Sequence, residues 1–185
     1  MSVVASSSDR VVFLDRDGVV NHDSPDFVRS VEDWRPLPGS LEAIARLTSA
    51  GHRIVIISNQ SGLARGLFDR PALDAIHAHL RAEVARVGGR IDGIFICPHL
   101  PADGCDCRKP KPGLIRQAER ALGLVARGAF FVGDRASDLG AARAAGCRPV
   151  LVESGLGFSE LRDEELVGVA IHATLGEFVD VLLSE

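Results

Sequence analysis

Tyrosine is missing from this chain, and tryptophan and methionine occur once each. Aromatic residues make up 5% of the sequence, so a core must be built from aliphatic side chains. A basic excess is also lacking. The formal net charge is −4 with Lys and Arg scattered, which argues against a nucleic-acid partner, whose binding surfaces are usually basic. No apolar run approaches the roughly 20 residues of a membrane span, so no membrane partner is expected. The opening MSVVASSSDR has no basic region followed by a long apolar stretch, so it does not read as a secretory signal. Residues 1–9 read instead as a frayed tail. Cysteine is sparse, and three of the four crowd between Cys97 and Cys107, which is not the spread of a disulfide framework. A reducing cytoplasm is the expected setting.

What is present is enough for one domain. A chain of 185 residues with 46% hydrophobic content can bury a real core, and a monomer is expected. Short apolar runs recur at Val11 to Leu14, Arg53 to Ile57, Arg90 to Ile96, Gly128 to Val132 and Arg148 to Val152. Such runs fit strands buried on both faces, hence a parallel sheet. Helical spacing fills the gaps. Leu41, Ile44, Ala45 and Thr48 form one stripe, with Ser40 as N-cap and Gly51 as stop. Leu73 to Val87 forms another after Asp69. Two more run from Leu114 to Leu122 and from Ser137 to Ala145. A last helix starts at Thr174 with a capping box to Glu177. Strands alternating with helices predict a doubly wound α/β domain. Ligands in such sheets bind beyond the carboxyl ends of the strands.

Those ends carry the chemistry. FLDRDGVVN puts Asp15 and Asp17 directly after the first strand, where desolvation makes charge costly. SNQSG (Ser58 to Gly62), CPHLPADGCDCRKPKPG (Cys97 to Gly113) and GDRASD (Gly133 to Asp138) follow later strands. Asp15, Asp17 and Asp134 at neighbouring strand ends would repel one another unless a cation sits among them. Oxygen ligands in a partly hydrated setting suit Mg²⁺, which also bridges to phosphate. Taken singly, each acid also fits a helix cap or turn. A carboxylate here can act as nucleophile, and another two residues on can exchange protons with the leaving oxygen and with water. Cys97, His99, Cys105 and Cys107 form C-x-H-x₅-C-x-C, two close pairs that suit a tetrahedral, structural Zn²⁺. A disulfide between two of these three Cys, or free thiols, is the alternative. Cys147 reads as a buried small hydrophobe.

DRDGVVN, SNQ, RKPKPG and GDRASD, in that order, resemble the four motifs of the haloacid dehalogenase (HAD) superfamily of phosphohydrolases, over about residues 10 to 152. The resemblance implies a Rossmann-like sheet with Asp15 as nucleophile and Asp17 as general acid and base. It implies Mg²⁺ held by Asp15, the backbone carbonyl of Asp17, and Asp134. Ser58 would bond the transferring phosphoryl, Lys109 would neutralise charge, and Asp138 would help near the metal or Lys109. The zinc loop immediately before RKPKPG resembles the heptose-bisphosphate and histidinol-phosphate phosphatase family. HDSPDFV (His22 to Val28) and NQSGLARG (Asn59 to Gly66) resemble its substrate loops. On that resemblance Asp23, Asp26, Asn59, Gln60 and Arg65 are candidate substrate contacts. The gaps between motifs leave no room for a cap domain, so these loops and the zinc loop must enclose the substrate.

Charge narrows the substrate. Arg65, Arg108, Lys109, Lys111 and Arg135 all fall in loops near the proposed site, more than one phosphate needs. The surplus points to a small sugar bisphosphate, and the resemblance implies D-glycero-D-manno-heptose 1,7-bisphosphate, losing one phosphate. Histidinol phosphate is the alternative, and its amine would need a carboxylate such as Asp23 or Asp26. A polynucleotide 3′-phosphatase is disfavoured by the acidic balance. A zinc-stabilised binding module without activity is disfavoured by the intact Asp15, Asp17, Lys109 and Asp134.

Overall fold

The computed structural model describes residues 11–184; the tail expected at residues 1–9 lies outside them. The elements run β1 (Val11–Leu14), α1 (Ser40–Ser49), β2 (Arg53–Asn59), α2 (Arg70–Arg86), β3 (Gly93–Cys97) and α3 (Gly113–Leu122). They continue with β4 (Phe130–Gly133), α4 (Ala136–Ala145), β5 (Arg148–Val152), α5 (Asp163–Leu166), β6 (Ala170–His172) and α6 (Leu175–Leu182). All strand pairs are parallel, in the order β3-β2-β1-β4-β5-β6.

The period-two alternation of β1 decides which helix goes where. Val12 and Leu14 pack with Ile54 and Ile56 against Leu41, Ile44 and Leu47 of α1, Ile76 and Leu80 of α2, and Phe178 of α6. Val11 and Phe13 point the other way, with Val55 and Ile57, onto Leu114, Ile115 and Ala118 of α3 and Ala141 and Ala142 of α4. The central strands are therefore buried on both faces, as their continuous apolar runs require. The chain leaves β1 in one direction to build β2 and β3, then returns to place β4 on its other side. That reversal makes a crevice at the carboxyl ends of β1 and β4.

Boundaries differ from the sequence reading in instructive places. Gly39, at φ 75°, is the N-cap of α1, and Ser40 is its first helical residue. The Ser40 hydroxyl donates instead to the Val20 carbonyl at 2.6 Å, tying the helix to the loop after β1. β3 starts at Gly93, not Arg90, because Asp92 turns its carboxylate back to accept from the Ile54 N–H at 2.9 Å. Asp69 caps α2, its carboxylate accepting from Ala72 N–H at 2.9 Å. Thr174 caps α6, but the Glu177 carboxylate accepts from Ala173 N–H rather than from Thr174. Cys147 is buried and its thiol donates to the Ala126 carbonyl at 3.3 Å. β6 and α5 are additions that the sequence pattern did not reveal. Among the described residues neither the 15–39 stretch nor the 60–69 stretch contains a helix or named strand, so no cap domain covers the crevice.

Candidate active site

At the crevice lies a cleft of about 430 Å³, lined by Asp15, Asp17, Asp23, Ser58, Asn59, Gln60, Arg108, Lys109 and Arg135. That size suits a small ligand. Asp15 follows β1 directly and is 5% exposed. Its Oδ1 accepts from the Arg16 N–H at 2.7 Å and meets the Lys109 ammonium at 2.9 Å. Lys109 also donates to the Ile57 carbonyl at 2.9 Å and pairs with Asp138 at 2.6 Å. Burial alone would lower the Lys109 pKa, but Asp138 and Asp15 outweigh it and hold the ammonium above its ordinary range. Lys109 is thus a fixed cation. Asn59 braces its backbone, with Nδ2 donating to the Lys109 carbonyl at 3.2 Å and Oδ1 accepting its N–H at 3.1 Å.

Asp17 sits two residues on in a different environment. Arg16 grips it through Nε and Nη2 at 3.0 and 2.9 Å, Asn21 Nδ2 donates to it at 2.9 Å, and Gln60 Nε2 donates at 2.9 Å. Burial works to raise its pKa, yet these partners together hold it below the ordinary carboxylate range. Gln60 also donates to the Ser58 hydroxyl at 2.8 Å, which links Asp17 to the end of β2. Two neighbouring carboxylates therefore have opposite tendencies, since burial raises Asp15, with Asp134 adding and Lys109 opposing. The split is opposite to the order that an ionised nucleophile and a protonated acid require, so a cation held by Asp15 and an anionic phosphate beside Asp17 would have to reverse it.

Asp134, at the end of β4, is fully buried. Its carboxylate accepts from Arg135 Nε at 3.0 Å, Arg135 Nη2 at 3.1 Å and Gly157 N–H at 3.0 Å. Gly18, at φ 85°, and Gly155 lie so close that a Cβ on either would collide with that carboxylate. Asp138 Oδ2 accepts the Asp134 and Arg135 N–H groups at 3.1 and 3.3 Å. Oxygens of Asp15, Asp134 and Asp138 all lie within 4.8 Å of one another. Burial raises the affinity of Asp134 and Asp138 for protons as well. Three crowded acids that favour protonation are a donor set short of positive charge, and a hard divalent cation such as Mg²⁺ fits it.

The second cluster is compact. Cys97 Sγ lies 3.6 Å from Cys105 Sγ and 3.3 Å from Cys107 Sγ, and His99 Nδ1 lies 3.6 and 3.2 Å from Cys97 and Cys107. The sulfurs are far beyond the ~2.05 Å of a disulfide, and no two are bonded. The separations approach the roughly 3.5–3.8 Å expected between tetrahedral ligands about 2.3 Å from zinc. The donor set therefore fits Zn²⁺. Lys111 ties the loop from outside, donating to the Gly104 carbonyl at 2.9 Å and to Asp106 at 3.1 Å.

The remaining candidates divide. Arg108 lines the cleft with one donor turned to the His99 carbonyl at 3.3 Å. Arg135 lines it too, but its guanidinium is committed to Asp134 and, at 2.6 Å, to Asp23. Asp26 is exposed at the rim, 4.0 Å from Arg29, and Arg65 is exposed; neither lines the cleft. The sequence reading passed over Arg16 and Asn21, both fully buried against Asp17. It also passed over Ser154 to Glu160, after β5, which brings Leu156, Gly157 and Glu160 to the cleft. The signal was available, since this polar, glycine-bearing stretch follows a strand as the other site loops do.

Fold and site together define a phosphohydrolase of the HAD-like class, and residues 106–177 match the HAD-hydrolase-like family model. The chain belongs to the family of D-glycero-beta-D-manno-heptose-1,7-bisphosphate 7-phosphatases. It is 48% identical to the enzyme of that name from Pseudomonas aeruginosa over 94% of this chain and 97% of the relative. The crystal structure of the D,D-heptose 1,7-bisphosphate phosphatase from B. bronchiseptica, complexed with magnesium and phosphate, superposes with a TM-score of 0.88. It is 47% identical, covering 95% of this chain and 98% of that one. The corresponding phosphatase from Burkholderia thailandensis is 36% identical with a TM-score of 0.70, covering 96% and 100%.

Proposed function

We propose that this phosphatase removes the 7-phosphate of D-glycero-D-manno-heptose 1,7-bisphosphate through an aspartyl-phosphate on Asp15. The observation that carries it is one cleft holding a buried Asp15–Lys109 pair with Asp17 alongside, and Arg108 as a further cation on the wall. An oxygen of Asp15 bonds to phosphorus while the bond to the sugar oxygen breaks. Asp17, ionised in the empty cleft, takes up a proton as the phosphate anion enters beside it, gives it to that oxygen, then takes one from the water that attacks the aspartyl-phosphate. Phosphate leaves and Asp15 is restored. Attack by one anion on another is opposed by Coulomb repulsion, which is strong in a desolvated cleft. Lys109, held rigidly at 2.9 Å from Asp15, offsets it without reorganising. Ser58, oriented by Gln60, donates to a phosphoryl oxygen. Mg²⁺, held by Asp15, the Asp17 carbonyl and Asp134, would supply further positive charge to the phosphate. Zn²⁺ on Cys97, His99, Cys105 and Cys107 would be structural, because it has no open coordination position.

A second phosphate distinguishes this substrate from histidinol phosphate. Asp23 is already neutralised by Arg135, and Asp26 does not line the cleft, so neither of these two carboxylates is placed to receive an amine, which leaves Glu160 on the wall as the one to test. Arg108 is left to grip a remote anion with its planar fork. We infer a monomer in a cytoplasmic setting, in keeping with four cysteines none of which forms a disulfide; among the described residues no helix is long and apolar enough to cross a membrane. Arg108→Ala should lower kcat/KM for the bisphosphate roughly ten- to a hundred-fold, the worth of one charge-assisted contact. A heptose mono-phosphate should lose much less. Equal losses on both, or a wild-type preference for histidinol phosphate, overturn the assignment.

A further inference from the structure

Arg16 lies between the two acids of the site and is 0% exposed. A buried guanidinium is costly to desolvate, and a buried ion pair seldom adds net stability. Its commitments are local and directional. Nε and Nη2 form a two-pronged grip on the two oxygens of Asp17 at 3.0 and 2.9 Å. The Asn21 amide, itself fully buried, supports the same carboxylate from another side at 2.9 Å. Arg16 Nη1 faces the interior and is enclosed without a hydrogen-bond partner. His77 of α2 has an enclosed, unpartnered Nε2, and burial followed by the Arg16 charge lowers its pKa to about 4. The helix behind Arg16 therefore presents a neutral ring, and Asp74 of the same helix is paired with Arg70 at 2.8 Å. Asp17 is the acid the guanidinium is committed to.

We propose that Arg16 is the positioning residue for Asp17, aiming its carboxyl at the leaving-group oxygen. The inference rests on the reading of Asp17 as general acid. Lysine in this place would keep the charge and lose the fork, so orientation would suffer while neutralisation survived. The role predicts a dependence on the leaving group. An alkoxide leaving from a sugar phosphate needs its proton in the transition state, whereas p-nitrophenolate leaves well unprotonated. Positioning of the acid should matter for the first and little for the second.

The test is the first-turnover rate of leaving-group release, by rapid mixing, for p-nitrophenyl phosphate and for the sugar phosphate that the wild type turns over fastest. Following the first turnover keeps the later hydrolysis step out of the reading. Arg16→Met should slow release of the sugar roughly ten- to a hundred-fold, part of the 10²–10⁴ a general acid supplies. It should slow p-nitrophenolate by no more than about threefold, with KM for the sugar phosphate little changed. Arg16→Lys, which keeps a cation in the core should the Met variant fail to fold, should show the same selectivity in weaker form. Asp17→Asn is the reference and should be the most selective. Equal slowing of both esters in the Arg16 variants, beside a selective Asp17→Asn, overturns the positioning role and leaves the acid assignment standing. A non-selective Asp17→Asn sinks the acid assignment, and this inference with it.

Discussion

Asp15 is the residue on which the covalent mechanism turns. Asp15→Asn keeps the shape and removes both the charge and the attacking oxygen pair. Turnover should vanish, measured as phosphate release. The fold should survive, because burial already disfavours the ionised form of Asp15 and an amide lowers the charge density beside Asp134 and Asp138. A thermal melt no lower than that of the wild type would establish this, and more than a trace of activity would end the covalent mechanism. At this scale the sequence was informative where a residue type had no bland use. Two acids ending an apolar strand demand an explanation, and so does a lysine followed by Pro-Lys-Pro. Arg16 and Asn21 escaped because each has an ordinary reading, a charged spacer and a turn residue. Only the coordinates show both fully buried with Asp17 between them.

Among the elements, the segment from Cys97 to Cys107 is the least able to hold itself. Only Cys97 in it, the last residue of β3, is buried, and beyond it the regular structure is a single 3₁₀ turn at Pro101–Asp103. With so little core of its own, its order must come from the metal. Structural zinc sites in small peptides bind with roughly 10–16 kcal/mol, so the ion should survive purification. Cys107→Ser should lose it, which elemental analysis will show, and hydrogen exchange should rise across 97–107. The damage should extend to KM, because Arg108 and Lys109 follow directly. A zinc-free wild type with a protected loop would contradict this. The four donors were legible because their spacing pairs them. β6 was not, because its three residues, two exposed and one half-buried at the sheet edge, give no periodic signal. The turn at Leu156–Glu160 escaped for a related reason, since its contribution to the cleft depends on where β5 ends rather than on its own pattern.

For the whole molecule, the question is what a cluster of acids costs when the cation they suit is removed. Strand order answers where they meet: β1 and β4 are adjacent, so residues from distant parts of the chain converge at one crevice. Alternating apolar runs predicted the parallel sheet, but nothing local in the sequence states that order. Asp15, Asp134 and Asp138 each have a proton affinity raised above the ordinary carboxyl value of 3.8, burial being the largest cause. A carboxyl raised in the folded state keeps protons that the unfolded chain has released. Its contribution to stability is complete below that ordinary value and is lost as pH rises through the folded one. The magnesium-free protein should therefore lose stability as pH climbs above the ordinary carboxyl value of 3.8, so far as this cluster decides it. Mg²⁺ competes with those protons, so its stabilising effect should grow over the same window. At a hundred times its Kd a ligand adds about 2.7 kcal/mol, which in a domain of this size is roughly 5–10 °C in Tm. Melts with and without Mg²⁺, zinc retained throughout, should show a gain of that order near neutral pH and a much smaller one near about pH 4.5. Asp134→Asn should flatten the difference by removing one acid from the cluster. An equal gain at both pH values would mean that the metal and the protons do not share these carboxylates.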